Sequence, residues 1–405
     1  MKKVLMLLLA AALAFGGVCA ADGYKSVPGG IRYEHIGDYN IERLNKIMST
    51  ELKEFSDSTV TFPTATNAVA LYRVIYPTIV PDKNNKPVEA SGLIAIPKLR
   101  QARFPVVSYQ HGTVFTKTEV PSFIEQSTET RLEVARFAGQ GYIVIAADYI
   151  GKGLSNEPDS YMAKNTMIQA CLDMLLASKS ICADLKVQQS DLFLSGWSQG
   201  SWNTMAFRNR LETLGIPVKA AATASTPTDI NLMLSSYINN PNKLDVSWLV
   251  GIFALYINSY EQNYGMMGLV SAAIRPQYQQ TARDFYANKI GWTEASKIFP
   301  QTVNEFLTPE FAAGSSLYSN EFFKRTEADE CYRWRYVTPT RFYYGKVDEV
   351  IRPYIGATLP TEYQIMVGGA SAQAIDAGAN ATHRNTFIFA VLDQKKWFDS
   401  LLVNK

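Results

Sequence analysis

The chain has 405 residues, of which 47% are hydrophobic and 19% charged, a composition that excludes a disordered or collagen-like protein and allows a large core with one further unit. Lys and Arg number 39 against 37 acidic residues, so the formal charge is close to neutral. The basic residues form no block that could dock on phosphates, and nucleic acid is therefore not expected as a partner.

The first twenty residues have the pattern of a cleaved secretory signal peptide. Lys2 and Lys3 precede an uncharged apolar run over 4–15, and Val18-Cys19-Ala20 has small or aliphatic residues where a signal peptidase acts. A membrane anchor is the weaker interpretation, because the run is shorter than the roughly 20 residues of a spanning helix. Lipid attachment at Cys19 is an alternative, although the preceding residues match a lipoprotein signal poorly. We predict a secreted or periplasmic protein with no membrane span after cleavage.

Three cysteines follow the predicted signal: Cys171, Cys182 and Cys331. An odd number leaves at least one thiol free. If Cys171 and Cys182 share one helix, they lie roughly 16 Å apart along its axis, which is too far for a disulfide. Any disulfide must therefore include Cys331. The cysteines have no metal-ligand spacing, and we expect no metal.

The next segments in chain order predict an antiparallel start to a sheet. Residues 21–68 form an N-terminal extension with a helix-like stretch near 41–55, to which no function is assigned. Residues 69–96 contain two strand-like runs around the turn Pro81-Asp82-Lys83-Asn84-Asn85, which indicates a hairpin.

The chain then changes to short, nearly continuous apolar runs with Gly, Asp or Ser at or near their carboxyl ends. Such runs are typical of parallel strands that are buried on both faces. Stretches of helical length lie between them, at 127–139 and 161–182. The pattern predicts an α/β fold with a mostly parallel sheet flanked by helices and led by an antiparallel hairpin. The runs are 104–113, 141–151, 191–200, 218–226 and 340–350.

The interval 230–336 breaks this alternation, because it contains aromatic and helical stretches but no buried-strand run. We expect a helical cap or lid over the carboxyl edge of the sheet, where ligand sites of α/β folds lie. It would divide the core into 69–229 and 337–405. The alternative is an independent domain that does not touch the site.

Residues 196–200 read Gly-Trp-Ser-Gln-Gly, a G-x-S-x-G pattern between a predicted strand and a predicted helix. A serine in such a sharp turn is exposed above the sheet edge, and flanking glycines tolerate the crowding because they lack a Cβ atom. The helix that follows points its first N–H groups at the place where an oxyanion would form. Ser198 is thus a candidate nucleophile that requires a base.

The sequence offers three histidines as that base. His35 lies in the N-terminal extension and is most simply a surface or packing residue. His111 ends the first parallel run, a position suited to shaping an oxyanion hole. His383 follows the last predicted strand and precedes the helix predicted over 387–402, and its position downstream of Ser198 makes it the predicted base.

A histidine base needs an orienting carboxylate, which falls between serine and histidine if the order is Ser, acid, His. Asp348 follows the strand-like run at 340–350 and is preferred, with Asp376 as the second candidate. Glu349 is adjacent, but neighbouring side chains on an extended turn point apart, so only one is expected to face the histidine. Asp148 precedes Ser198 and is interpreted as a structural cap of its loop.

This ordered set resembles the α/β-hydrolase superfamily, and the capped, exported arrangement is similar to secretory lipases and related bacterial esterases. The resemblance implies Ser198 as nucleophile, His383 as general base, Asp348 as its acid, and the backbone N–H groups of Gln199 and Thr113 as the oxyanion hole. The glycine-rich loop of some esterases is absent, since Val follows His-Gly-Thr. The motifs that carry the resemblance are 108–113, 147–155, 196–200, 345–350 and His383.

The function implied is that of an exported serine hydrolase that cleaves carboxylic esters through an acyl-enzyme, without a cofactor, on a small-molecule or lipid-like ester. A serine peptidase or amidase with the same triad is the alternative, followed by a non-catalytic binding protein of this fold. Aromatic residues at helical spacing in the predicted cap suit either a pocket wall or a core. The candidate substrate-binding residues are His111, Trp197, Trp248, Phe253 and Tyr256.

Overall fold

A sheet of ten strands runs through the protein in a computed structural model that describes residues 23–101, 103–315 and 319–402. The predicted signal peptide lies outside these residues. The strands are β1 Lys25–Val27, β2 Ile31–Tyr39, β3 Val69–Val80, β4 Lys86–Pro97, β5 Arg103–Gln110, β6 Ile143–Ala147, β7 Gln188–Trp197, β8 Ala220–Ala224, β9 Thr340–Tyr344 and β10 Ala372–Asp376.

The strand order is β1-β2-β3-β4-β6-β5-β7-β8-β9-β10. Pairing is antiparallel from β1 through β4 to β6, and parallel from β6 through β5 and β7 to β10. The predicted hairpin is β3–β4, with Val69 opposite Pro97 and Val80 opposite Lys86. The predicted parallel runs form β5 to β9, so the predicted fold class is confirmed.

The structure adds strands that the sequence pattern did not predict. In the N-terminal extension, β1 and β2 pair next to β3, and the β2–β3 register shifts between His35 and Gly37, which interrupts the alternation of buried and exposed residues. His35 lies on β2, half exposed, with Nε2 2.8 Å from Oδ1 of Asp38. At the other edge, the side chains of β10 are only partly buried or exposed, and an edge strand needs no apolar run.

Helices cover both faces of the sheet. One core lies between the sheet and the helices α4 and α5, and the other lies between the sheet and α1, α3 and α15. The helices are α1 Ile41–Lys46, α2 Leu52–Phe55, α3 Thr128–Phe137, α4 Lys164–Asp184, α5 Gln199–Thr213, α6 Ile230–Asn239, α7 Leu249–Asn263, α8 Leu269–Ala273, α9 Pro276–Tyr286, α10 Trp292–Ala295, α11 Val303–Phe306, α12 Pro309–Ala312, α13 Glu321–Ala328, α14 Leu359–Val367 and α15 His383–Leu402.

The interval 230–336 contains the helices α6 to α13, and these pack into the same core as α4 and α5. Polar contacts connect it to a loop at the carboxyl edge of the sheet and to α5. The hydroxyl of Ser259 donates to the carbonyl of Tyr161 at 2.7 Å, and the indole N–H of Trp202 on α5 donates to the carbonyl of Asp329 at 2.8 Å. Among the described residues, none of the helices combines the length and apolar character needed to cross a membrane.

The three described cysteines are buried and free. Cys171 and Cys182 both lie on α4, as the spacing argument assumed. Cys331 is 0% exposed and forms no disulfide. Burial raises the pKa of the Cys171 thiol to about 12, so this thiol stays protonated and unreactive.

Candidate active site

Ser198 is the single residue between two elements. The strand β7 ends at Trp197, and the helix α5 begins at Gln199. The φ of 56° and ψ of −124° of Ser198 are unfavourable for a residue with a side chain, so the turn holds strain. Glycine is required on both sides. A Cβ atom on Gly196 would lie 2.2 Å from Oγ1 of Thr204, and one on Gly200 would lie 1.9 Å from the carbonyl oxygen of Gln110.

The start of α5 lies directly after this serine. The carbonyl of Ser198 accepts hydrogen bonds from the N–H groups of Ser201 and Trp202, at 3.0 and 3.2 Å. The N–H of Gln199 is the first of the helix, where N–H groups have no acceptor within the helix and the dipole is positive. The side chain of Gln199 is buried, and its Nε2 contacts Sδ of Met167 at 3.7 Å. The backbone of Gln199 is therefore the part suited to bind an anion.

His383 and Asp348 form a buried pair. Nδ1 of His383 lies 3.0 Å from Oδ1 and 3.2 Å from Oδ2 of Asp348. The carboxylate also accepts hydrogen bonds from the Ser225 hydroxyl at 2.6 Å and from the backbone N–H groups of Val350 and Ile351 at 2.9 and 2.8 Å. These contacts hold the carboxylate in one orientation, and they leave Nε2 of His383 as the nitrogen that can take up a proton.

The same contacts determine the ionisation of Asp348. Burial alone would raise the pKa of this carboxyl group, because the charged form is poorly solvated. The charge and hydrogen bond of His383, with the Ser225 hydroxyl and the N–H of Ile351, outweigh burial and hold the pKa below its usual value. Asp348 is thus a carboxylate at neutral pH.

The other acidic candidates have different partners. Glu349 also contacts His383, but at the backbone: its Oε2 accepts the His383 N–H at 2.9 Å and caps the start of α15. Of these described acidic residues, Asp348 is the one that contacts the imidazole ring. Asp376 pairs with Lys346 at 2.9 Å on the exposed edge. Asp148 is buried and accepts hydrogen bonds from Ser91 and the N–H of Ser122, at 2.5 and 2.8 Å.

Two tryptophans flank the His383 ring. The ring of Trp197, the residue before Ser198, lies 5.0 Å from it between centroids. The ring of Trp248, from the interval 230–336, lies 6.4 Å away. The structure therefore brings the G-x-S-x-G turn, the histidine and one candidate aromatic of the predicted cap into one cluster.

The other two candidate aromatics of that interval are internal. Phe253 is 0% and Tyr256 is 1% exposed. Phe253 packs on Tyr237 with ring centroids 6.3 Å apart, and Tyr256 packs on Tyr161 at 5.1 Å. Tyr161 in turn exchanges a hydrogen bond with the Thr113 hydroxyl at 2.9 Å. Tyr161 therefore lies between Tyr256 and the loop of Thr113 and contacts both.

His111 is buried at the end of β5, stacked on Tyr149 with ring centroids 4.2 Å apart. Its Nδ1 lies 2.8 Å from the carbonyl of Gly112, and its Nε2 lies 3.2 Å from the carbonyl of Asp148. Burial lowers the pKa of His111 to about 4, so the ring is neutral at pH 7. Both nitrogens face backbone carbonyls, which leaves neither for a ligand.

Sequence reasoning missed two residues of this region. Ser225 follows β8 with φ of 51°, and its placement at the carboxyl end of a predicted strand was a usable signal. Glu129, in the first turn of α3, accepts the N–H of Gly112. A glutamate at a helix start is ordinary, and no sequence signal distinguishes this one.

Solved structures share this architecture at low sequence identity. A protein from Legionella pneumophila that has been assigned as a hydrolase has a TM-score of 0.81 with 21% identity, covering 92% of this chain and 98% of that one. The rice cell wall degrading esterase LipA from Xanthomonas oryzae has a TM-score of 0.76 with 18% identity, covering 94% and 96%. Candida antarctica lipase A has a TM-score of 0.60 with 17% identity, covering 78% and 73%.

No family model matches the sequence, and no curated protein matches it either. These three structural neighbours are α/β-hydrolase proteins. The chain therefore has the α/β-hydrolase fold, as the resemblance of its motifs implied. Two of these neighbours are named as an esterase and a lipase.

Proposed function

We propose that the protein is a serine hydrolase that cleaves carboxylic esters, with Ser198 as nucleophile, His383 as general base and Asp348 as the orienting acid. The observation that carries this proposal is the contact of His383 with Asp348 on one side and with Trp197, the residue before the strained Ser198, on the other. A strained serine at a strand-to-helix turn, beside a histidine with a buried carboxylate partner, is the arrangement that acyl transfer needs.

The proposed reaction has two halves. Oγ of Ser198 attacks the ester carbonyl while Nε2 of His383 takes its proton, and Asp348 stabilises the imidazolium that forms. The tetrahedral oxyanion accepts hydrogen bonds from the N–H groups of Gln199 and Thr113. The C–O bond then breaks, and His383 returns the proton to the leaving alcohol. Water attacks the acyl-serine in the same way and releases the acid.

We further propose that the helices of 230–336 act as a cap over this site. The support is the contact of Trp248 with His383, and the packing of Trp248 and Trp292 on Phe115, which lies two residues after Thr113. These side chains would form an apolar wall for an acyl chain. Export remains a proposal that rests on the signal-like pattern of residues 1–20.

An ester is favoured over an amide because an alcohol leaves more readily than an amine. The names of two structural neighbours, an esterase and a lipase, agree with this choice. A small-molecule or lipid-like ester is the proposed substrate. A peptidase or amidase with the same residues is the second candidate, separated by turnover of peptide amides.

The test uses purified protein, a fluorophosphonate probe and p-nitrophenyl esters of increasing acyl length. Wild-type protein should be labelled at Ser198 and should hydrolyse the esters, whereas Ser198→Ala should do neither. The matched control is Ser190→Ala, because Ser190 lies at the opposite end of the same strand, β7. Wild-type turnover by Ser198→Ala would refute the assignment of the nucleophile. Turnover of peptide amides but not of esters would favour the peptidase.

A further inference from the structure

Gly112 is held by a side chain at each of its two backbone polar groups. Its N–H donates to the carboxylate of Glu129, 3.0 Å from Oε1 and 3.2 Å from Oε2. Its carbonyl oxygen lies 2.8 Å from Nδ1 of His111. In the neutral ring one nitrogen carries the proton, and we assign it to Nδ1, which has the shorter of the two carbonyl contacts and would donate to Gly112.

These two contacts determine where the next N–H group points. The carbonyl of Gly112 and the N–H of Thr113 belong to one planar, trans peptide unit, in which C=O and N–H point in opposite directions. Because the carbonyl points at the His111 ring, the Thr113 N–H points away from it. The preceding peptide unit cannot rotate freely either, since its N–H is held by Glu129.

The segment also has little room to shift. A Cβ atom on Gly112 would lie 3.0 Å from Cε3 of Trp197 and 3.2 Å from Oε2 of Glu129. The backbone of Gly112 therefore packs directly against the residue that precedes Ser198. A displacement of the Thr113 loop would be transmitted to the serine turn.

Glu129 is itself held in place. The residue is 6% exposed, and its carboxylate accepts a further hydrogen bond from the Tyr109 hydroxyl at 3.1 Å. Its hydrogen-bond partners among the described residues are thus donors, which favours the ionised carboxylate. Burial nevertheless raises the pKa of Glu129 to about 7. The titratable groups that face it are Tyr109, His111 at 3.9 Å, Glu119, Glu133, Tyr149 and Arg384.

We propose that Glu129 and His111 are positioning residues that clamp Gly112 from both sides, and that they aim the N–H of Thr113 at the carbonyl oxygen of the acyl substrate. Neither side chain touches the substrate. The inference rests on the proposed function, because it assigns the Thr113 N–H a role in that reaction. The inference goes beyond the proposed function because it explains how side chains can hold the Thr113 loop in place without a glycine-rich sequence.

The chain offers a matched control for Glu129. Glu133 lies one turn later on α3, is 0% exposed, and has its pKa raised by burial to about 8. Its carboxylate accepts from the Ser195 hydroxyl at 3.1 Å and from Gln394 at 3.4 Å, and not from the Gly112 loop. A general effect of removing a buried carboxyl group from α3 would appear in variants of either residue.

The experiment compares Glu129→Leu, Glu129→Gln and Glu133→Leu for hydrolysis of p-nitrophenyl butyrate. We expect Glu129→Leu to lower kcat about 10–100-fold with little change in KM, because a misaligned oxyanion donor weakens binding of the transition state only. Glu129→Gln keeps an oxygen acceptor for the Gly112 N–H and should retain most of kcat. Glu133→Leu should stay within about threefold of wild type. Equal losses in Glu129→Leu and Glu133→Leu would overturn the proposal.

A second readout is hydrogen exchange of peptides that contain Gly112, measured on the full chain. The Gly112 amide should exchange slowly in wild-type protein and faster in Glu129→Leu but not in Glu133→Leu. This measurement needs no catalysis, so it still decides on the clamp if the protein proves inactive towards esters. An unprotected Gly112 amide in wild type refutes the clamp without any variant.

If Glu129→Leu does not fold, two variants of His111 provide an independent test of the clamp. His111→Asn places an amide N–H near the position of Nδ1, whereas His111→Leu has no donor for the Gly112 carbonyl. We expect the asparagine variant to retain more kcat than the leucine variant, at similar KM. Equal kcat values in two folded variants would remove His111 from the clamp.

Discussion

Nδ1 of His383 lies 3.0 Å from Oδ1 of Asp348, and both residues are 4% exposed. A buried carboxylate next to one ring nitrogen determines which nitrogen carries the proton and therefore which one can act as a base. This relationship is the centre of the proposed mechanism, and it leads to the first of four predictions.

Asp348→Asn should reduce kcat by about 10³–10⁴-fold, because the amide no longer holds the ring in the correct tautomer or stabilises the imidazolium. The fold should persist, since the amide is similar in size to the carboxylate. The measurement is steady-state ester hydrolysis, together with the thermal unfolding midpoint. Asp376→Asn is the control, and it should leave kcat within about twofold, because Asp376 pairs with Lys346 instead. A larger loss in Asp376→Asn than in Asp348→Asn would make Asp376 the acid.

Trp248→Ala should change the ratio of kcat/KM for short acyl esters to kcat/KM for long ones by about tenfold. The reason is that the Trp248 ring lies 6.4 Å from the His383 ring between centroids and contacts Phe115. Phe253→Ala should instead lower stability by about 3–5 kcal/mol without a matching change in that ratio, because Phe253 is fully buried. A ratio that changes in Phe253→Ala alone would place the pocket deeper in the cap.

Gly200→Ala should destabilise the protein by about 3 kcal/mol or more, because the added Cβ would lie 1.9 Å from the Gln110 carbonyl and would force the start of α5 away from β5. Ester hydrolysis should fall with it. Gly314→Ala is the matched control, since its Cβ would meet no atom of the described residues within 4 Å. Denaturant unfolding measures both variants, and equal stability of the two would show that the serine turn tolerates a side chain.

Glu133→Gln should stabilise the protein most at alkaline pH. The pKa of Glu133 is raised from 4.5 to about 8 by burial, with Ser195, Gln394, Arg136 and Glu129 as its other influences. A carboxyl group with a raised pKa in the folded state takes up a proton on folding between these values, so stability falls as pH rises from about 4.5 to 8. A glutamine side chain does not titrate, so Glu133→Gln removes this dependence of stability on pH.

The unfolding midpoint of Glu133→Gln should therefore exceed that of wild type at pH 8 by more than at pH 5. A difference of about 1 kcal/mol corresponds to about 2–4 °C. Lys53→Gln, on the exposed surface of α2, is the control for a change of charge elsewhere. A difference between Glu133→Gln and wild type that does not depend on pH would contradict the raised pKa.

The sequence alone determined the fold class and the candidates for the site. Parallel strands buried on both faces leave continuous apolar runs, which predicted β5 to β9. Gly196 and Gly200 lie so close to neighbouring backbone and side-chain atoms that only glycine fits at these two positions. The serine turn can therefore be recognised from a local sequence pattern. With three histidines and the order serine, acid, histidine, few combinations remained.

Tertiary structure decided what local patterns do not encode. Asp348 follows β9 and Asp376 ends β10, and only packing shows that one contacts His383 while the other pairs with Lys346. The strand β2 was missed because a register shift interrupts its alternation, and β1 has only three residues. Glu129 had no sequence signal, because its contact with Gly112 joins a helix and a loop that meet only in the folded chain. Such contacts depend on distances across the sheet edge, whereas motifs record only neighbours along the chain.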